Sequence, residues 1–160
     1  MDEVDAIVAA WRRERPDADV SPMEVLSRVT RLARQLDRLR KQAFATHGLE
    51  TWQWDVLAAL RRAGDPFEMS PGQLGAATMV TSGTMTNRVD RLVEQGLVVR
   101  RPDPGDRRGV RVRLTDEGRA RVDGALDALL VHERDLLSAL SQSDRDAVAA
   151  ALATLTNSIR

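Results

Sequence analysis

The 160-residue sequence contains no cysteine, which excludes disulfides, thiol redox sensing and thiolate metal sites. Its two histidines, His47 and His132, stand far apart in the chain and give no basis for a metal cluster. No apolar run approaches the roughly 18 residues of a membrane helix. The opening Met-Asp-Glu-Val-Asp is acidic where a signal peptide needs positive charge, so a cytoplasmic protein is expected. There is no Gly-rich phosphate loop and no nucleophile with a base in support, which leaves an enzymatic reading without residues to carry it. Internal repeats, low-complexity tracts and flexible linkers are missing too. At this length the chain should form one cooperative unit over 1–160.

Net charge is also lacking, since 24 basic residues balance 24 acidic ones. The balance is not local. Between Thr81 and Arg113 stand Arg88, Arg91, Arg100, Arg101, Arg107, Arg108, Arg111 and Arg113 against Asp90, Glu94, Asp103 and Asp106, a local excess of +4 that leaves −4 for the remainder. A basic patch on a neutral chain is the footprint of a localised polyanion-binding surface, although a solvated charged face has the same composition.

What is present is mostly helical signal. Val4, Ile7, Val8 and Trp11 form one stripe on a short first helix that stops before Pro16. Ser21, Pro22 and Glu24 then combine a capping hydroxyl, proline at the first helical position and a glutamate three residues after the cap. The long helix they open carries Val25, Val29, Leu32, Leu36 and Leu39 near a seven-residue repeat, suited to packing against another long helix. A third segment, Glu50 to Arg62, places Trp54, Leu57 and Leu60 on one side and ends near Gly64 and Pro66.

Ser70, Pro71 and Gln73 repeat the capping signature for a short helix through Thr78. Thr81 caps another to Gln95, ended by Gly96. Directly after, Leu97 to Arg101 and Val110 to Leu114 alternate apolar with basic residues around a Pro-Asp-Pro-Gly-Asp turn, the pattern of a hairpin with an arginine-tipped loop. Thr115 should cap a helix bearing Val122, Leu126, Leu129, Leu137 and Leu140. Ser143 should cap a last one with Val148, Leu152, Leu155 and Ile159. The fold class is therefore mainly α with one small β-hairpin.

Two short helices joined by a tight turn and followed at once by a two-stranded hairpin make a winged helix-turn-helix. Its helix fits the major groove of DNA, where base edges are distinguishable, and its loop fits the narrower minor groove. Ser82, Thr84, Thr86 and Asn87 supply short donors and acceptors for base edges and phosphates, and Arg91 reaches for the backbone. Arg107 and Arg108 are the loop contacts, with Asp106 able to brace a neighbouring guanidinium.

Here the sequence resembles the MarR family of bacterial transcriptional regulators, from about Val25 to Leu155. The match is most specific in TNRVDRLVEQGLVVRRPDPGDRRGVRVRLTDEG, through Asp90-Arg91-Leu92, the Asp106-Arg107-Arg108 wing, and Leu114, Thr115 and Gly118. The resemblance implies a homodimer in which helical regions 1–49 and 116–160 interlock below two DNA-binding lobes, 50–115. It also implies a pseudo-palindromic DNA operator, because a two-fold dimer presents recognition helices to successive major grooves.

Within the recognition helix, Met85, Val89 and Leu92 mark the inward stripe, and Arg88 falls at its edge while Arg91 points further out. Most MarR-type sequences place an apolar residue where this one has Arg88. A guanidinium turned toward a core needs a carboxylate or a bound anion, and Asp55 is positioned on the third segment to provide one. Strand alternation turns one of Arg100 and Arg101 inward, without saying which.

Trp11, Asp55, Arg88 and Arg100 together resemble the ligand set of the urate-responsive branch of the family, which carries an extra N-terminal helix. That resemblance implies a small anionic effector, urate or a di- or tricarboxylate, that draws Arg88 and Asp55 out of their pairing, shifts the recognition helix and releases the operator. Arginine forks suit planar anions and tryptophan stacks on a flat heterocycle. The alternative is a structural DNA-binding protein without an effector, which would hold any duplex equally. No metal, no further cofactor and no membrane partner is expected.

Overall fold

Helix starts are set by side chains that accept from otherwise unpaired amides. The computed structural model of the chain describes residues 2–159, except for the side chains of Arg107 and Arg108. Asp2 caps helix α1 (Glu3–Glu14) by accepting from the amides of Val4 and Asp5. Helix α2 (Pro22–Ala45) begins with proline at its first position, followed by α3 (Thr51–Arg62). Ser70 and Gln73 form a capping box on α4 (Pro71–Thr78), and Thr81 caps α5 (Ser82–Glu94). Thr115 caps the long α6 (Asp116–Leu137).

The last helix, α7 (Gln142–Ser158), starts two residues earlier than Ser143 implies. Its cap is Ser141, whose hydroxyl accepts from the Asp144 amide at 3.2 Å and donates to the Asp144 carboxylate at 2.6 Å. Ser143 instead falls within the first turn, 2.9 Å from the Ser141 hydroxyl.

The hairpin consists of β2 (Val98–Asp103) and β3 (Asp106–Leu114), paired antiparallel with Val98 opposite Leu114 and an irregularity at Pro102/Asp103. Its reversal is tighter than the five-residue turn expected, since both strands continue to Asp103 and Asp106. A further strand was not anticipated. Glu68–Met69 (β1) adds to the free edge of β3, giving the order β1-β3-β2. Two residues are too short to show a period-two alternation.

Contacts within the chain divide it into two units, 1–42 and 43–160. In the first, Val4 and Val8 are buried and ion pairs fasten α1 to α2. Arg28 meets Asp2 at 2.8 Å and Asp5 at 2.6 Å, Arg12 meets Glu24 at 2.5 Å, and Arg31 meets Glu3. The α2 stripe residues Val25, Val29 and Leu32 stay exposed.

In the second unit one apolar cluster joins α3, α4, α5, the sheet and α6, built on Phe44, Leu57, Leu60, Leu74, Met85 and Leu97. Phe44 and Trp54 stack with centroids 4.6 Å apart and planes 9° from parallel. Helix α7 contributes nothing to this core, and Val148, Leu152 and Leu155 remain exposed along it, as do Leu126, Leu130 and Val131 on α6. Among the described residues no helix is long and apolar enough to cross a membrane.

Candidate nucleic-acid interface

Helix α5 is held by its apolar residues and presents its polar ones. Met85, Val89 and Leu92 are each at most 1% exposed, so Ser82, Thr84, Thr86, Asn87 and Arg91 all lie on the solvent side, as their spacing implied. The turn that aims the helix runs through Met79, which adopts a left-handed φ of 54° and is 93% exposed.

The hydroxyls on this surface are not equivalent. Thr81 spends its oxygen on the Thr84 amide and its proton on the Thr84 hydroxyl, at 3.0 Å. Thr84 therefore keeps its own proton to donate outward. Thr86 donates to the Ser82 carbonyl at 3.0 Å and can offer a ligand only acceptor capacity. Among the described residues, Ser82 and Asn87 make no side-chain hydrogen bond, which leaves them available for base edges and phosphates.

The wing is braced from within. Asp103 Oδ1 accepts from the Gly105 amide at 2.9 Å and Oδ2 binds Arg111 Nε at 2.7 Å. The Gly105 amide, helped by the Arg111 guanidinium, holds the Asp103 carboxyl below the usual carboxylate range. Asp106 is exposed where β3 begins. Arg107 and Arg108 follow it in β3, and their side chains lie outside the described residues.

Wing, recognition helix and α6 meet at one junction. The Thr115 hydroxyl donates to the Gly96 carbonyl at 2.8 Å, and the Thr115 amide donates to the Leu97 carbonyl at 3.2 Å. Gly118 packs so closely that a Cβ there would collide with the Leu97 carbonyl. Glycine is required at this point by proximity rather than by backbone conformation.

The two arginines of α5 converge instead of parting. The guanidinium carbons of Arg88 and Arg91 each lie 5.7 Å from the centroid of Trp52, on α3, and the indole Nε1 donates to Glu50 Oε2 at 3.0 Å. An open cleft of about 310 Å³ is lined by Trp52, Thr84, Asn87, Arg88 and Arg91.

Arg88 is half-buried, as expected of the edge of the stripe. Its expected pairing with Asp55 is not formed, and among the described residues no ion pair or hydrogen bond joins the two. The reason is register, since Trp52 precedes Asp55 by one turn of α3 and offers the guanidinium its ring face. Arg100 is the strand arginine that reaches α5, with Nη1 2.6 Å from Asp90 Oδ1. Of the four expected effector residues, Asp55, Arg88 and Arg100 belong to the second unit, and Trp11, 48% exposed, belongs to α1 in the first.

Two participants escaped sequence reasoning. Asp90 lies inside the Asp-Arg-Leu motif and gave no sign of its strand partner. Trp52 could have been noticed as an aromatic residue off the Trp54-Leu57-Leu60 stripe. Among the described residues no group of three or more His, Asp or Glu is placed to hold a metal ion.

Comparison with known proteins agrees with this architecture. Residues 47–109 match the MarR family. Over 89% of its length the chain is 41% identical to the HTH-type transcriptional regulator PecS of Dickeya dadantii, covering 86% of that protein. Among solved structures, it is similar to a mutant MarR from Escherichia coli complexed with operator DNA, with TM-score 0.69 and 26% identity over 86% of this chain and 99% of that one. It is also similar to Sco5413, a MarR family transcriptional regulator of Streptomyces coelicolor, with TM-score 0.68 and 28% identity over 86% of this chain and 94% of that one. These relatives are regulators rather than enzymes and share the winged helix-turn-helix. The chain belongs to the MarR family of transcriptional regulators.

Proposed function

We propose that the protein acts in the cytoplasm as a homodimeric repressor that binds a pseudo-palindromic operator and releases it when a small anion binds. The observation that carries the DNA-binding half is α5, which buries Met85, Val89 and Leu92 and offers Ser82, Thr84, Asn87 and Arg91 together on its free side. The likeness to a MarR bound to its operator supports placing that side in a major groove.

The homodimer is supported by apolar side chains with no place in the core, namely Leu126 and Leu130 on α6 and Val148, Leu152 and Leu155 on α7. Such faces on separate long helices are the usual material of a subunit interface.

For the effector, Arg88 and Arg100 of the second unit offer guanidinium forks and Asp55 an acceptor for ring N–H groups, a set suited to urate or a compact carboxylate. Because Arg88 rests on Trp52 and not on Asp55, the anion would gain Arg88 from an aromatic contact, which is easier to give up than a partly buried ion pair.

The test is selection of bound duplexes from a random pool, followed by mobility-shift titration of the selected complex with urate and then citrate. A recurrent two-fold sequence released by one of them is expected. Equal affinity for all duplexes would replace this reading with a structural DNA-binding role, and no release by either anion would remove the effector. Arg100→Ala is expected to retain binding and lose the release.

A further inference from the structure

The cleft under Arg88 and Arg91 has features that a structural role leaves unexplained. Several arginines elsewhere are matched with carboxylates, as in Arg28 with Asp2 and Asp5, Arg61 with Asp123, Arg100 with Asp90 and Arg111 with Asp103. Arg88 and Arg91 have no carboxylate within pairing distance among the described residues. Two guanidiniums on one ring repel each other, and the indole quadrupole offsets only part of that cost. An anion between them would offset the rest. Thr84, with a free hydroxyl proton, and Asn87, with a free amide, line the same cleft, so every polar side chain facing it can donate.

That donor set fits a tetrahedral oxyanion, and the occupant follows from the surroundings. The cleft opens beside the side chains of α5 that face DNA, and the anions at a helix lying in a major groove are the backbone phosphates at its edge. We propose that Trp52, Thr84, Asn87, Arg88 and Arg91 form a clamp for one phosphate of the duplex, and that Trp52 is its positioning residue. The indole is itself fixed by Glu50 at 3.0 Å and sets both guanidiniums 5.7 Å from its centre. In the DNA-bound state Arg88 then serves the backbone, and an anionic effector would have to draw it away from that phosphate. The proposal rests on the DNA-binding reading and does not depend on an effector.

Phosphate contacts have a signature that packing lacks, since each one lost lowers the slope of log affinity against log salt by roughly 0.9. The experiment measures that slope on a selected duplex and on a random one, with the wild type, Arg88→Gln, Arg91→Gln, Trp52→Phe, Trp52→Ala, and the double arginine variant with and without Trp52→Ala. Each arginine variant is expected to lower the slope by about one per engaged cleft, equally on both duplexes, because backbone contacts carry no sequence information.

Trp52→Phe should keep the wild-type slope. Trp52→Ala should lower it in the wild type yet add nothing in a protein already lacking both arginines, which separates positioning from general loss of fold. If Trp52→Ala unfolds, the Arg88→Gln and Arg91→Gln variants decide alone. A wild type without affinity for any duplex removes the DNA-binding reading and the clamp with it. A wild type that binds while Arg88→Gln keeps the full slope overturns the clamp alone.

Discussion

Arg100 Nη1 lies 2.6 Å from Asp90 Oδ1, so the first strand of the wing is tied by charge to the recognition helix. Both side chains are close to half exposed, 40% and 46%, and pairs of that kind contribute about 1 kcal/mol or less. Asp90→Asn should therefore lower unfolding stability in urea by less than about 1 kcal/mol. A loss of several kcal/mol would mean that water does not reach the pair.

Gly118 should be far more sensitive. Its Cβ has no space beside the Leu97 carbonyl, so Gly118→Ala must push α6 away from the end of α5. Overpacking of this kind costs about 1–3 kcal/mol. Gly83 provides the contrast, because a Cβ there meets nothing within 4 Å and alanine is the better helix former. Gly83→Ala should stabilise by up to about 1 kcal/mol. Urea unfolding of both variants checks the pair of signs, and equal effects would contradict the packing argument.

The first unit should respond to acid. The Arg28 guanidinium holds the Asp2 carboxyl below its usual range, and the Asp2 amide, followed by Arg28, does the same for Asp5. A carboxyl depressed in the folded state contributes its stabilisation above the ordinary value near 3.9 and loses it as pH falls through the lower folded value. Amide protection in α1 should therefore be level from neutral pH down to about pH 5 and decline below about pH 4. Asp103 in the wing carries the same sign through the Gly105 amide. Hydrogen exchange at Val4, Asp2 and Gly105, whose amides donate to the carboxylates of Asp2, Asp5 and Asp103, follows all three sites, and a decline near neutral pH would point to another group.

Leu152→Glu places a charge in the exposed apolar face of α7 without touching the core, which contains no α7 residue. Sedimentation should show half the wild-type mass with secondary structure retained. A wild-type mass for the variant would remove α7 from the subunit interface.

Much of this was legible beforehand because local chemistry decided it. The capping boxes at Ser70 and the hydroxyl at Thr81 positioned α4 and α5, and the Met85-Val89-Leu92 stripe fixed which side of α5 faces outward. What escaped depended on contacts between distant segments. Strand β1 owes its existence to the open edge of β3 and not to its own two residues. Arg88 was correctly placed at the rim of the buried stripe, but periodicity on one helix says nothing about what a neighbouring helix presents, and α3 presents Trp52. The cap of α7 was misplaced for a simpler reason, as two serines two residues apart both satisfy the pattern and only the geometry separates them.

The junction of Gly96, Leu97, Thr115 and Gly118 carries a mechanical consequence. The far end of the recognition helix is hydrogen-bonded to the root of α6 and packed against Gly118, so a turn of that helix on its own spindle would have to break those contacts, whereas lobe and oar turning as one piece would keep them. In the proposed dimer, torque applied along α6 would then change the distance between two blades while each kept its own pitch, so loss of a matching site on DNA becomes a question of span. The resting angle of the helix within its lobe would be the same whether the protein is holding on or letting go.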